Sequence, residues 1–487
     1  MSTIKDLKPA LVWNNFYLLT RQPRPSKHEE KVRAFLLNWG KEHNLETFTD
    51  KTGNVIIRIP ATPGYEDRKT VVLQGHMDMV PQKNSDTVHD FLTDPIETWI
   101  DGEWVKAKGT TLGADNGLGV ALAMSIAEDK SSEHGPIEIL VTYDEETGMT
   151  GANALEPGIL KGDILINLDS ESEGEFYVGC AGGLDASAST SYKVRKDDTG
   201  LKPWKLTVKG CKGGHSGMDI ILYRANANKL AARVLYALLT EAGAKLSELE
   251  GGTLRNAIPR EAFATVLLSE SQVKAAEKAV RRVAGELKAE YAGTDPELNI
   301  TFEAAAVEAG GYVEDKKALK FIQAIIACPD GVERMSDSVP GLVETSNNMA
   351  MVKIGGGKFF VKSLMRSSVD TAKNALALKY ESVFKLAGIK TVFTGGYSGW
   401  APNPKSEILA LMKKTYSAMF KVEPKVMAIH AGLECGILSG AYPNWDMVSM
   451  GPTLLSPHSP DERAYIPSVQ KVYDFLKAVL VEIPEKD

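Results

Sequence analysis

Four clusters of acidic or imidazole residues each follow a short apolar run, and this pattern constrains the fold more than any other feature. The clusters are Gly75-His76-Met77-Asp78, Asp144-Glu145-Glu146-Thr147, Asn167-Leu168-Asp169-Ser170 and Ser456-Pro457-His458-Ser459. The runs before them are Val71–Gln74, Ile137–Tyr143, Ile164–Leu168 and Met447–Met450. Short apolar runs bounded by turn residues read as buried strands. In open α/β sheets, functional groups collect at the carboxyl ends of the strands. The clusters, far apart in sequence, are therefore predicted to meet at one rim of a sheet. Carboxylates crowded into one crevice raise one another's pKa, so a cation is the expected partner, and metal-assisted hydrolysis is the first functional expectation.

The chain has 487 residues, more than a single core usually supports, so two domains are expected. A net charge of −7 argues against nucleic acid or an anionic membrane as main partner. No apolar stretch reaches the roughly 18 residues of a membrane span. Residues Met1 to Arg21 lack a secretory apolar core. Cys180, Cys211, Cys328 and Cys435 are scattered, with no Cys-x-x-Cys spacing. A reducing cytoplasm fits better than a disulfide framework, and a metal would have to be held by His and carboxylate.

The first part of the chain alternates strand and helix signals: helix Ser26–Glu42, a hairpin around Asp50–Asn54, strand Thr70–Gln74, helix Gly117–Ala127 and strands Ile137–Tyr143 and Ile164–Leu168. From about Leu184 the order changes. Strands at Lys205–Lys209, Glu261–Leu267 and Asn299–Glu303 alternate with helices Ala225–Ala242 and Ser271–Glu290. A similar order recurs with helices Lys316–Ile326 and Val369–Ala387 and strands near Met349–Ile354, Phe359–Met365 and Thr391–Phe393. After Gly395-Gly396-Tyr397 the α/β pattern returns, with strand Met447–Met450 and a last helix, Pro467–Glu482. His458 can meet His76 only if this last part folds back onto the first. The expected fold class is therefore α/β, a mixed sheet flanked by helices. The catalytic domain is discontinuous (1–184 and 396–487) and interrupted by an inserted, duplicated α+β lid domain (185–395).

Each candidate residue also has a plainer reading. His76 is either a ligand whose tautomer Asp78 fixes or a satisfied core histidine. Asp115, in Gly113-Ala114-Asp115-Asn116-Gly117, is either a carboxylate able to bridge two metals or the N-cap of the following helix. Glu145 and Glu146 are adjacent, so one can bind metal while the other faces substrate as general base; both are otherwise solvated. Asp169 ends its strand in the same way. The acidic turn Ser170–Glu175 reads as solvated, or as the acceptor of a substrate ammonium group. His458, in a rigid loop between Pro457 and Pro460, is either a ligand or a surface-loop histidine. His215, in Gly213-Gly214-His215-Ser216-Gly217, is either an oxyanion stabiliser reaching over a cleft or a loop histidine. No Gly-x-Ser-x-Gly elbow occurs, and no phosphate loop, since the Gly-rich run lacks the Lys-Ser/Thr ending.

Taken as an ordered set, these motifs resemble the dinuclear zinc aminopeptidase, aminoacylase and carboxypeptidase G superfamily. Gly214-His215-Ser216-Gly217, Arg255-Asn256-Ala257-Ile258-Pro259 and His430-Ala431-Gly432-Leu433-Glu434-Cys435-Gly436 narrow the resemblance to its aminoacyl-histidine dipeptidase branch, over essentially the whole chain. The resemblance implies a zinc-exopeptidase-like fold holding two Zn2+ per subunit, with Mn2+ or Co2+ as substitutes. His76 and Asp169 would hold one ion, Glu146 and His458 the other, and Asp115 would bridge them, followed by a cis peptide bond to Asn116. It further implies Asp78 orienting His76, Glu145 as general base and later acid, and His215 supporting the oxyanion, from its own subunit or from a partner. Asn256, Arg366 and Gly432 would grip the substrate's C-terminal carboxylate. The implied protein is a cytoplasmic homodimeric dipeptidase for Xaa-His dipeptides such as β-alanyl-histidine. An N-acyl-amino-acid deacylase or tripeptidase on the same scaffold, and a metal-binding protein without catalysis, are the alternatives.

Overall fold

A computed structural model describes residues 3–196, 200–305 and 310–486. Two compact units emerge. Unit 1 comprises Met1–Gly179, Trp400–Ala428 and Leu433–Asp487; unit 2 comprises Cys180–Gly399 and Ile429–Gly432. The expected boundaries at 184/185 and 395/396 fall inside two strands, Gly182–Ser191 and Lys390–Tyr397.

Unit 1 is built on an eight-stranded sheet. Its strands are β1 (Glu46–Thr49), β2 (Val55–Ile59), β3 (Val71–His76), β4 (Ile137–Thr142), β5 (Ile164–Asn167), β6 (Glu175–Cys180), β7 (Lys425–Ile429) and β8 (Asp446–Ser449). Their spatial order is β1-β2-β4-β3-β5-β8-β6-β7. The central four, β4, β3, β5 and β8, run parallel, whereas β1, β2 and β6 pair antiparallel with their neighbours. This is a mixed sheet. Every residue of β3, β4 and β5 is buried, as expected of parallel strands covered on both faces. Parallel strands end on the same side, so His76, Thr142, Asn167 and Ser449 finish at one rim. Helix Ala114–Glu128 packs on β3 and on helix Ala10–Thr20, and Glu407–Phe420 packs on Ile466–Val481. A small antiparallel sheet, ordered Leu454–Leu455, Arg463–Tyr465, Trp104–Ala107 and Thr98–Asp101, carries the loop with His458 at one of its hairpins.

Unit 2 holds a nine-stranded sheet whose pairings are antiparallel. Along it stand Asn299–Ala304, Lys202–Lys209, Ala262–Leu268, Lys245–Gly251, Val343–Gly355, Lys358–Ser367, Gly182–Ser191 and Lys390–Tyr397, with Gly331–Met335 branching onto the fifth. Strand–helix–strand–strand–helix–strand order runs once from Lys202 to Ala304. It runs again with Gly182–Ser191 as first strand, then helix Asp315–Ala327 and the strands to Tyr397. The second set lies along the sheet in mirror order to the first. Lys245–Gly251 meets Val343–Gly355 at the seam. Sequence reading missed Gly182–Ser191 because its run of Gly, Ala and Ser has no alternation of large apolar residues, although it is paired on both sides, next to the edge strand Lys390–Tyr397. It also missed Lys245–Gly251 and the Thr98–Ala107 hairpin, whose charged residues mask their period.

The seam gives a direct check. A Cβ on Gly252 would lie 1.8 Å from the Ala350 carbonyl oxygen, and its φ is +73°. Gly285, exposed in helix Val273–Glu290, has nothing within 4 Å. Gly252→Ala should destabilise unit 2 by about 1–3 kcal/mol, and Gly285→Ala should stabilise it by about 0.4–1 kcal/mol. Urea denaturation midpoints moving apart in these directions support the seam; equal midpoints contradict it.

Candidate active site

The rim of the unit 1 sheet gathers the expected residues around Asp115. Its Oδ1 lies 3.1 Å from His76 Nε2, which is also 3.3 Å from Asp169 Oδ1. Its Oδ2 lies 3.2 Å from His458 Nε2, which is 3.1 Å from Glu146 Oε2. One carboxylate thus splits its oxygens between two His–carboxylate pairs. Potential ligand atoms of His76, Asp115 and Asp169, and separately of Asp115, Glu146 and His458, lie within 4.8 Å of one another. Among the described residues, buried Glu146 Oε1 and Asp169 Oδ1 have no hydrogen-bond partner. Two imidazoles, three carboxylates and orphaned buried oxygens form a donor set that fits a pair of divalent cations.

Backbone geometry explains the convergence. His76 is the last residue of β3, and the peptide bond Asp115–Asn116 is cis. Asn116 accepts from the His76 amide at 3.3 Å and donates to the Leu168 carbonyl at 2.8 Å, tying the Asp115 loop to two ligand-bearing strand ends. Gly75 makes room for it, since a Cβ there would lie 2.2 Å from Asn116 Oδ1. Asp78 is fully buried. Its Oδ1 lies 3.4 Å from His76 Nδ1, and it accepts from the Glu145 and Glu146 amides at 3.0 and 3.2 Å. Glu145 and Glu146 stand on a single helical turn, Glu145–Gly148, rather than on a strand end. Asp144, at the start of that turn, braces it by accepting from the Thr147 and Thr150 hydroxyls.

Several functional neighbours escaped sequence reading. Glu462, buried in the hairpin that carries His458, accepts four successive amides: Leu112 (2.7 Å), Gly113 (3.0 Å), Ala114 (2.8 Å) and Asp115 (3.3 Å). It clasps the Asp115 loop to the His458 loop. Arg24, also buried, donates to the Met77, Asp78 and Gly113 carbonyls. Glu434 lies buried beneath the rim, accepting from Gln74 and Thr142. The sequence offered only weak hints, such as Arg24 between two prolines and Glu462 four residues after His458.

The electrostatics follow from crowding. Burial pushes the Asp169 carboxyl up to about 7 and Glu145 well above the carboxylate range, against the opposing pull of His76. Burial alone would lower His76, but Asp169, Asp115 and Asp78 outweigh it and raise it well above the usual imidazole range. Hydrogen bonds to Asp115 and Glu146 raise His458 to about 11. Burial would raise Asp115, yet His458 and His76 hold it below the usual carboxylate range. In the acidic turn, Glu171 is partly buried rather than solvated, and burial with the nearby Asp115 charge pushes it up to about 7.

Unit 2 gathers His215, Arg366 and His430, of which Arg366 carries the charge. His215 Nδ1 accepts from the Gly217 and Met218 amides at 3.2 and 3.1 Å, so its Nε2 carries the proton and is free to donate. Burial and the Arg366 charge lower its pKa. Arg366 is buried, and its Nε has no partner among the described residues. It stands opposite Ser346 in the register, and Ser346 Oγ lies 2.7 Å from His430 Nε2. Gly432 follows two residues later, on a segment whose Ala431 carbonyl accepts from the Ala181 amide. Asn256 is exposed next to the short strand opposite His215, and its carbonyl accepts from the Ser216 amide at 2.9 Å.

The chain is 45% identical over 486 residues to the cytosol non-specific dipeptidase of Escherichia coli (strain K12), covering 100% of both chains. The solved structure of aminoacylhistidine dipeptidase from Vibrio alginolyticus matches with a TM-score of 0.96 and 47% identity, over 100% of this chain and 99% of that one. Aminopeptidase PepT from Bacillus cereus shares the fold at 16% identity and a TM-score of 0.57, over 98% and 99% of the two chains. The family model for Peptidase family M20/M25/M40 matches residues 72–482; the chain belongs to that family.

Proposed function

We propose that this protein is a metal-dependent dipeptidase that hydrolyses short unblocked peptides, Xaa-His dipeptides such as β-alanyl-histidine among them. The observation that carries the reading is the split of Asp115 between His76 with Asp169 and His458 with Glu146, beside the half-buried Glu145, which makes no ion pair of its own among the described residues. The full-length relatives whose names describe a cytosol non-specific dipeptidase and an aminoacylhistidine dipeptidase support the substrate class. The first name also supports a cytosolic enzyme, and no described helix is long and apolar enough to cross a membrane. A homodimer, with residues 185–395 as lid and dimerisation domain, belongs to the same proposal on the strength of the family resemblance.

His76 and Asp169, and Glu146 and His458, would each hold one ion, with Asp115 shared; two histidines without thiolate suit zinc, with manganese or cobalt as substitutes. When bound, such ions polarise a carbonyl and lower the pKa of a water. The chain's own residues do the rest. Glu145 takes the proton of the attacking water and delivers it to the leaving amine. Its raised pKa before metal loading reflects the same low-dielectric pocket that makes it a strong base. Asp78 holds the His76 ring in one tautomer and, through the Glu145 and Glu146 amides, fixes the turn that presents the base. His215, with its proton on Nε2, donates to the developing oxyanion. Arg366 binds the C-terminal carboxylate, and its planar guanidinium suits a two-point grip; Asn256 and the Gly432 amide complete the subsite.

Glu145→Gln should lower kcat for a dipeptide by about 10²–10⁴-fold while zinc content stays as in the wild type. Arg366→Ala should lose about 2–5 kcal/mol in kcat/KM, mostly through KM, and should spare any peptide whose C-terminal carboxylate is amidated. Steady-state assays with dipeptides, tripeptides and N-acetyl-amino acids decide the substrate class. Preference for tripeptides or N-acetyl-amino acids would replace the dipeptidase reading. A zinc-loaded wild type inactive on all of them would leave only metal binding.

A further inference from the structure

A second polar layer crosses the unit 1 sheet one step below the ligand rim. Ser449 Oγ donates to Asn167 Oδ1 (2.5 Å), Asn167 Nδ2 to Gln74 Oε1 (2.5 Å), and Gln74 Nε2 to Glu434 Oε2 (2.6 Å). Ser170 Oγ lies 2.6 Å from Ser449 Oγ. The Ser449 hydrogen is committed to Asn167, so Ser170 is the donor there. Thr142 Oγ1 donates to the same Glu434 oxygen at 2.6 Å. Every hydrogen in the chain points toward Glu434. The chain crosses β4, β3, β5 and β8, and Gln74 and Asn167 stand two residues before His76 and Asp169. All of these side chains are buried, Glu434 at 2% exposure.

A glutamine could accept the same two hydrogen bonds through its carbonyl oxygen. An ionised carboxylate is far more expensive to bury than an amide. Glu434 accepts from Thr142, the register partner of His76, and from Gln74, two residues before it; its Oε1 has no hydrogen-bond partner and no Lys or Arg pairs with it among the described residues. Its charge is therefore poorly compensated by the protein alone. It lies where a divalent pair at the rim would compensate it, across a low-dielectric interior that screens little.

We propose that Glu434 is a positioning residue for the metal pair: its negative charge, rather than its hydrogen bonds, raises affinity for divalent ions at His76, Asp115 and Asp169, at the expense of apoprotein stability. The inference rests on the metal-centre reading above. Glu434→Gln keeps the acceptor and removes the charge, so the two effects should move in opposite senses. The Glu434→Gln apoprotein should melt higher than the wild-type apoprotein by about 2 °C or more. Zn2+ titrated into it against a competing chelator should bind roughly tenfold to a hundredfold more weakly. A purely structural role would lower the melting temperature and would not separate the two readouts. A variant that is insoluble, melts at or below the wild-type temperature, or binds Zn2+ as tightly as wild type overturns the proposal. Wild-type protein that takes up two ions while the variant matches it sinks this inference alone. Wild-type protein that takes up fewer than two sinks the metal-centre reading with it.

Discussion

The division of the Asp115 carboxylate between two His–carboxylate pairs is the constraint on which the rest of the site depends. Neither pair alone separates a metal centre from an ordinary buried ion pair. Asp115 joins them, and much of the surrounding structure holds it there. Glu462 gathers the four amides up to Asp115 and brings the His458 hairpin with it. Asn116 fastens the other side to the ends of β3 and β5. Buried Arg24 ties the His76–Asp78 segment to Gly113 and offsets some of the negative charge. Such crowding in a closed space is costly without cations, so the fold is best understood as a scaffold for a charge that it does not itself supply.

The parallel centre of the sheet makes this economical. Four parallel strands end at one rim, so the last residue of β3 and the short segments after β4 and β5 deliver His76, the Glu145–Glu146 turn and Asp169 without long excursions. His458 arrives differently, at the tip of a hairpin in the small antiparallel sheet, whose neighbouring strand Trp104–Ala107 leads directly into the Asp115 loop. The two histidines are therefore held by different sheets, and Glu462 and Asp115 form the join between them. In unit 2 the mirror-ordered sheet carries the buried Arg366 guanidinium, whose charge helps to keep the nearby His215 imidazole neutral.

The meeting of His76, the Glu145–Glu146 turn and Asp169 was legible because strand runs and the residues after them have a strong local signature and parallel strands end at one rim; the ligand places of Asp115 and His458 were expected only from the family resemblance. Asp78 was legible from its spacing to His76. The Glu145–Glu146 pair was recognised, but its one-turn helix was not, since four residues carry no helical period. Glu462, Glu434 and Arg24 were not legible as site residues. A charged side chain in sequence reads as solvent-facing, and only the folded chain shows that it is buried and which amides or carbonyls surround it. Gly182–Ser191 was missed for the converse reason. Its small residues lack the apolar signature of a strand, yet they pair on both sides, with Lys358–Ser367 and with the edge strand Lys390–Tyr397.

The most direct test of the shared carboxylate is metal stoichiometry in Asp115→Ala, measured by equilibrium dialysis with Zn2+ and compared with His76→Ala. If Asp115 serves both positions, its removal weakens both ions together, whereas His76→Ala spares the ion on the Glu146–His458 side. An Asp115→Ala protein that still takes up two zinc ions per chain with wild-type affinity would contradict the account.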